Sequence, residues 1–143
     1  MVENYDTARE ELKRADHLLY ISLKYTRTTD VMKSVISRLI NAFDFAILDS
    51  LNYLKNKKRV KTIFSNEMAR AEDLKKKIRK FKSYLELYFL LRRIEKTKHT
   101  SKEEFRKHVT LITDFVEVDT PQLIEYFKKT KEFIMIVEEM VND

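Results

Sequence analysis

Apolar side chains recur every three or four positions through most of the chain, and this spacing predicts amphipathic α-helices. The first predicted helix covers residues 3–25, and its apolar stripe begins with Tyr5. A second helix is expected to begin at the N-cap residues 28–30 and to end near Lys55. A third predicted helix covers about residues 65–94, so that three long helices account for the first two thirds of the chain.

Two further helices are predicted in the C-terminal third. Ser101 and Glu104 have the spacing of a capping box, which indicates a fourth helix with apolar positions over residues 105–116. A fifth helix should begin at Pro121, because proline is tolerated in the first turn of a helix. No internal repeat or long linker divides the sequence, so we expect one domain over residues 1–143.

The chain contains no glycine and a single proline. Glycine supplies the positive-φ positions on which hairpin turns and phosphate-binding loops depend, so its absence argues against β-rich folds, dinucleotide-binding folds and P-loops. Short connections between long helices favour antiparallel neighbours. The sequence therefore predicts an all-α fold, an antiparallel up-and-down bundle of about five helices.

The charge and composition of the chain indicate which partners and which cellular compartment to expect. The 29 Lys and Arg residues against 23 Asp and Glu residues give a net charge of +6, which favours an anionic partner such as RNA. The alternative is a solvated surface of mixed charge, which any soluble helical domain has. The absence of cysteine excludes disulfides, and the Lys and Glu content resembles that of proteins from heat-loving organisms. The first residues lack a signal-peptide pattern, so we expect a cytoplasmic protein that does not associate with a membrane.

The longest apolar run lies between Tyr84 and Leu91 and is interrupted by Glu86. Eight residues are too few to cross a membrane, and the predicted helix is apolar nearly all round at this point. Either a central place in the bundle covers both faces, or a second copy of the chain covers one of them. We expect a homodimer through this region.

Metal and hydrolase chemistry have little support in the sequence. A di-iron helical bundle needs Glu-x-x-His pairs, which the chain lacks, and no Ser–His–Asp arrangement is recognisable. His108 should lie at the edge or inside of the core on the fourth helix, and His17 on the surface of the first. We expect neither a metal nor a cofactor.

One basic segment at the predicted junction of the third and fourth helices has the residues for chemistry on a phosphodiester. Arg92 and Arg93 are followed by His99. An arginine can hold a phosphate through two hydrogen bonds while a nearby histidine transfers protons near neutral pH. The predicted bundle brings further cations to the same end, as candidate RNA-binding residues: Lys24, Arg27, Lys98 and Lys102.

Three stretches accompany this Arg–His spacing: RADHLLY at residues 14–20, NAFDF at 41–45 and LELYFLLR at 85–92. Together they resemble the HEPN superfamily, and in particular its small archaeal members. The resemblance implies a helical bundle that dimerises and joins two Arg–His motifs in one RNase site. By that resemblance, Arg92 or Arg93 would bind the scissile phosphate and His99 would act as acid or base.

The resemblance favours an RNA-related function, as a metal-independent endoribonuclease of the toxin–antitoxin or defence type. Other members of the superfamily are non-catalytic partners of minimal nucleotidyltransferases. The alternative is therefore a dimeric binding module that supports a nucleotidyltransferase or another protein. In that module Arg92 and Arg93 would be solvated charges, and His99 would be a surface residue.

Overall fold

The fold is mainly helical, with one small sheet near the C-terminal helix. The computed structural model describes residues 7–142. The helices are α1 (Ala8–His17), α2 (Leu23–Thr26), α3 (Thr29–Asn56), α4 (Glu67–Lys77), α5 (Lys82–Lys96) and α6 (Thr120–Val141). The strands are β1 (Thr100–Lys102), β2 (Thr110–Ile112) and β3 (Glu117–Asp119). The expectation of a mainly helical protein is confirmed, whereas the expectation of an all-α protein is wrong.

The helices α1 and α2 form one rod, because the π-helical turn Leu18–Ser22 joins them without leaving right-handed helical geometry. Thr7 caps the start of the rod by accepting a hydrogen bond from the Glu10 N–H group at 3.1 Å. Arg27 ends it in the left-handed conformation, with φ of 52°. This rod matches the first predicted helix from residue 8 onward. The predicted start and the stripe residue Tyr5 lie outside the described residues.

The 28-residue helix α3 lies at the centre of the core. Thr28 caps its first turn, and the short connection between α2 and α3 folds the chain back along the rod. The helix α5 runs antiparallel to α3, because Ser37 contacts Glu95 whereas Asp44, further along α3, contacts Tyr88. The helix α6 closes the core through aromatic contacts, of which the most direct is the stacking of Phe133 on Phe43 at 5.2 Å.

The third predicted helix is wrong as a continuous element, because the chain leaves helical geometry at Ile78 (φ −126°, ψ 93°). A 3₁₀ turn, Arg79–Phe81, follows before α5 begins. The turn places the fully buried Phe81 ring edge-on to Phe133, with centroids 5.1 Å apart. The break therefore puts an aromatic side chain in the core, and neither proline nor glycine marks it in the sequence.

The fourth predicted helix is also wrong, because this segment forms an antiparallel sheet of order β1-β2-β3. Val109, Leu111 and Val118 are fully buried, and the first two follow the two-residue period of a strand. Ser101 and Glu104 do not form a capping box. The chain instead has positive φ at Glu103 and at the residue after Glu104, which turns it toward β2.

The apolar run between Tyr84 and Leu91 is covered within one chain. Leu85, Tyr88 and Leu91 are fully buried, and the other apolar side chains of the run are buried or half-buried against the core. The run therefore gives no argument for a homodimer, since no second copy is needed to cover it. In the described part of the chain, no helix has the length and apolar character to cross a membrane.

Candidate functional site

The turn between β2 and β3 organises the end of the molecule where the Arg–His segment lies. The Thr113 hydroxyl donates to the Val116 carbonyl at 2.8 Å and accepts from the Val116 N–H group at 3.0 Å. The backbone N–H of Thr113 donates to the same carbonyl at 2.9 Å. These bonds fix the two intervening side chains, Asp114 and Phe115, on a short and well-defined loop.

A depression of about 280 Å³ lies beside this turn. Its lining residues come from the segment before β1 and from the end of β2: Lys98, His99, Thr100, Ile112, Thr113 and Asp114. An imidazole, an ammonium group and a carboxylate thus border one hollow, with the His99 side chain half-buried. The ammonium group of such a set can bind an anion, and the imidazole can accept or donate a proton.

Arg93 reaches the same turn from α5. Its guanidinium group lies 3.9 Å from the centroid of the Phe115 ring, while the residue as a whole stays exposed. A cation over an aromatic face at an exposed site is worth about 0.5–1 kcal/mol, enough to favour one direction of a flexible side chain. Arg93 and His99, separated by five residues in sequence, therefore both lie at the β2–β3 turn, with Arg93 over Phe115 and outside the lining of the His99 depression.

Arg92 points to a different partner, the helix α3. Its Nη1 donates to the Tyr88 hydroxyl at 2.9 Å and lies 3.8 Å from the Asp44 carboxylate. The Tyr88 hydroxyl in turn donates to Asp44 at 2.5 Å. Burial raises the pKa of Asp44, while the hydrogen bond from Tyr88 and the charge of Arg92 partly offset that rise. Arg92 thus stabilises a half-buried carboxylate, and its guanidinium is not shared with the His99 depression.

The remaining predicted RNA-binding residues have different surroundings. Lys24 is exposed on α2, whereas Arg27 is half-buried and its carbonyl accepts the Phe105 N–H at 2.7 Å. Lys102 is exposed on β1 and forms an ion pair with Glu117 at 3.4 Å. The structure therefore places Lys98 at the depression and leaves the other three cations outside its lining.

The two other histidines lie outside this site. His17 is exposed, as predicted. His108 is also exposed, in the loop before β2, so its predicted place at the edge or inside of a helical core is wrong. The cause is that the fourth helix does not form. Among the described residues, no group of three His, Asp or Glu side chains is arranged to hold a metal ion.

A second concave region, a cleft of about 680 Å³ bordered by α1, α3 and α4, is absent from the sequence-based predictions. Charged side chains of both signs line it: Glu11, Asp44, Glu67, Arg14, Arg38 and Arg70. Glu11 is only 3% exposed and accepts hydrogen bonds from Arg14, Arg38 and Asn41. Three donors offset the cost of burying its charge, so the Glu11 cluster stabilises the contact between α1 and α3.

One signal in the sequence could have identified Glu11. It lies three residues after Ala8 and four before Ala15, both of which belong to the predicted apolar stripe. A carboxylate at such a position faces the core and must find donors on a neighbouring helix. The identity of those donors depends on the register between helices, which the spacing along one helix does not give.

No protein-family model, no curated protein and no solved structure matches this chain significantly. The resemblance to the HEPN superfamily accordingly stays a prediction that rests on sequence pattern.

Proposed function

We propose that this chain binds RNA at the β2–β3 turn and cleaves it without a metal ion, with Arg93, Lys98 and His99 as the acting residues. The observation that carries the proposal is that Arg93, over the Phe115 ring, and His99, in the depression beside Thr113 and Asp114, lie at the same turn. The proposal agrees with the HEPN resemblance in using an Arg–His pair. It differs in assigning the phosphate contact to Arg93, since Arg92 is engaged by Tyr88 and Asp44.

In the proposed reaction, the 2′-oxygen of a ribose bonds to the adjacent phosphorus and the bond from phosphorus to the 5′-oxygen breaks. His99 takes the proton of the 2′-hydroxyl, and water gives a proton to the departing 5′-oxygen. The hydroxide that remains takes the proton from His99 and restores the imidazole. Arg93 holds the non-bridging oxygens, where negative charge increases in the transition state. The products are a 2′,3′-cyclic phosphate and a 5′-hydroxyl.

The decisive experiment measures cleavage of a labelled RNA in EDTA by the wild-type chain and by single variants. His99→Ala should lower the rate by about 10²–10⁴-fold, because a positioned proton-transfer group contributes that much. The exposed residues His17 and His108 give matched controls, and their alanine variants should keep the wild-type rate. An intact RNA with the wild-type chain, or full activity of His99→Ala, would exclude the reaction.

The two arginines distinguish catalysis from stability. Arg93→Ala should lower cleavage while reducing the free energy of unfolding by no more than about 1 kcal/mol, the upper value for its exposed contact with the Phe115 ring. Arg92→Ala should chiefly lower stability, because it leaves the half-buried Asp44 without its neighbouring cation. Equal loss of cleavage in both variants, with stability unchanged, would show that the assignment of the phosphate contact to Arg93 alone is wrong.

The second candidate is a non-catalytic module that binds a protein partner, such as a second copy or a nucleotidyltransferase. Three exposed apolar side chains on the α1–α2 rod favour it: Tyr20, Ile21 and Tyr25, the last of them 82% exposed. This candidate predicts that purified protein leaves RNA intact. It also predicts that Tyr25→Ser weakens the association with the partner and has no effect on folding.

A further inference from the structure

Two short segments of the chain carry several cations and no carboxylate: residues 55–61 have five cations, and residues 75–82 have six. Residues 75–82 contain six basic and no acidic side chains, and we name these six the basic junction: Lys75, Lys76, Lys77, Arg79, Lys80 and Lys82. Without these six, the chain's 29 Lys and Arg residues become 23, which equals its 23 Asp and Glu residues. The junction therefore carries as many positive charges as the net charge of the whole chain, +6.

The break between α4 and α5 presents the basic junction to solvent. Ile78 is half-buried and Phe81 fully buried, so the two apolar residues of the segment anchor it to the core. The basic side chains between and beside them face outward, and Lys75, Lys76, Arg79 and Lys82 line a depression of about 520 Å³ together with Glu72. A concave surface with four cations and one carboxylate concentrates positive potential.

Helix stability accounts for only part of this charge. The three lysines in the last turn of α4 are favourable at the negative end of a helix. Arg79 and Lys80 lie in the 3₁₀ turn directly before α5, and Lys82 is the first residue of α5, so all three are near the helix end where cations oppose the helix dipole. The first turn of α5 has no acidic residue, and no side chain caps it. These three cations therefore lower the stability of α5, which points to a role other than folding.

Within residues 7–142, intramolecular ion pairs involve only two of the six cations. Lys75 lies 4.0 Å from Glu86, and Lys77 lies 3.5 Å from Asp73. Among the described residues, no carboxylate forms an ion pair with Lys76, Arg79, Lys80 or Lys82. All four are exposed, so their charges are available to a partner.

We propose that the basic junction binds the phosphate backbone of single-stranded RNA, as a contact region separate from the Arg93–His99 turn. This inference extends the proposed function, because it adds a sequence-independent contact with the RNA that the residues at the turn would cleave. Insertion into a membrane needs exposed apolar side chains beside the cations, and no exposed large apolar side chain lies within residues 75–82. A protein partner would need an exposed aromatic or aliphatic anchor, which the segment also lacks.

Two variants with the same change in composition and charge test the proposal. The junction variant carries Lys76→Gln, Arg79→Gln, Lys80→Gln and Lys82→Gln. The control variant carries Lys55→Gln, Lys57→Gln, Arg59→Gln and Lys61→Gln, which are exposed residues after the end of α3 or near it. Circular dichroism verifies that each variant keeps the helical content of the wild-type chain. The probe is a fluorescein-labelled uridine 20-mer, and its binding is measured by anisotropy at a series of salt concentrations.

Each phosphate contact contributes roughly 0.7 to the slope of log affinity against log salt for a single strand, so the junction variant should lower that slope by about three. The wild-type loss of affinity between about 50 and 200 mM salt should consequently exceed the junction variant's loss by about 50-fold. The control variant should change the slope by less than about one. Equal changes in the two variants would overturn the proposal, because net charge and not position would then explain them.

Two further outcomes separate this inference from the proposed cleavage. RNA binding that depends on the junction, without any cleavage, would exclude the nuclease reaction and support the junction. Cleavage that depends on His99, with binding unaffected by the junction variant, would overturn the junction and support the reaction. Absence of RNA binding by the wild-type chain would also overturn it, as would junction-dependent binding to phosphatidylserine vesicles in place of RNA.

Discussion

At the scale of single residues, the cost of removing a charge from water explains the contacts among Asp44, Tyr88 and Arg92. Asp44 is 26% exposed and has Tyr88 and Arg92 as its neighbours. Burial raises the pKa of Asp44, and burial together with Asp44 raises the pKa of Tyr88. The tyrosine hydroxyl therefore stays protonated and donates to the carboxylate, and it also accepts from Arg92. Arg92 is engaged by Tyr88 and Asp44, which is the reason that the proposed phosphate contact is assigned to Arg93.

The raised pKa of Asp44 determines the sign of its contribution to the pH dependence of stability. Its folded-state pKa is raised above the ordinary value of 3.8, so the folded protein holds this proton more tightly than the unfolded chain. As pH rises from 3.8 through the raised pKa, the contribution of Asp44 should lower the stability, with a slope of at most about 1.4 kcal/mol per pH unit. The Asp44→Asn variant has no titratable group at this position and therefore serves as the reference. The unfolding free energy of the wild-type chain relative to that variant should therefore fall over the same pH range.

Urea unfolding at several pH values measures this difference. Tyr88→Phe provides the second variant, because removing a hydrogen bond that lowers the Asp44 pKa should extend the range to higher pH. A difference that rises with pH, or a Tyr88→Phe range that shifts to lower pH, would contradict the assignment.

At the scale of elements, the main surprise is a hairpin-containing sheet in a chain without glycine. Among residues 7–142, four adopt positive φ: Arg27, Lys58, Glu103 and Phe105. The left-handed conformation costs an ordinary residue roughly 1–2 kcal/mol, which a fold can bear at a few exposed turns. The absence of glycine therefore raises the cost of such turns and does not prevent them.

Lys58 and Lys57 allow a matched test of that cost. They are adjacent exposed lysines, with φ of 62° at Lys58 and −87° at Lys57. Lys58→Gly should stabilise the protein by about 1 kcal/mol, because glycine relieves the steric conflict. Lys57→Gly should destabilise it by at least about 0.5–1 kcal/mol, since it adds unfolded-state freedom and also removes the ammonium group that lies 5.5 Å from the centroid of the Tyr53 ring. Thermal unfolding of both variants measures the effects, and destabilisation by Lys58→Gly would refute the argument.

The sequence pattern predicted the helices that have a single consistent apolar stripe, such as α3 and α6. It failed over residues 100–119, where apolar spacing fits two periods at once. Val109 and Ile112 satisfy a helical stripe, whereas Val109 and Leu111 satisfy a strand. It also failed at Ile78, because the benefit of ending α4 there comes from burying Phe81 against α6. That contact is tertiary, and no local residue signals it.

At the scale of the whole molecule, prediction of the candidate site depended on long-range structure. Arg93 and His99 were identified by their spacing, but the turn that joins them belongs to a sheet that the sequence analysis did not predict. The basic junction was within a predicted continuous helix, so its exposure on a break could not be recognised. Residue types that carry chemistry are visible in a sequence, whereas their convergence depends on how distant elements pack.

The contact between the sheet segment and the helices provides the last prediction. The Glu104 carboxylate accepts hydrogen bonds from the buried Thr29, from its N–H group at 3.1 Å and from its hydroxyl at 2.9 Å. A carboxylate at the first turn of α3 also interacts favourably with the helix dipole. Glu104→Ala should destabilise the protein by about 1–3 kcal/mol, the range for hydrogen bonds to a charged group.

The neighbouring Glu103 is exposed and provides the matched control, Glu103→Ala, which should cost no more than about 0.5 kcal/mol. Hydrogen exchange locates the effect. In Glu104→Ala the amides of residues 100–119 should exchange faster, while those in the middle of α3 change only with global stability, because the lost bonds hold the sheet segment to the start of α3. Since Arg93 and His99 both lie at the β2–β3 turn, the proposed RNA cleavage should fall together with this protection. Unchanged exchange in the sheet segment, or equal effects of the two variants, would show that Glu104 does not connect the sheet to the helices.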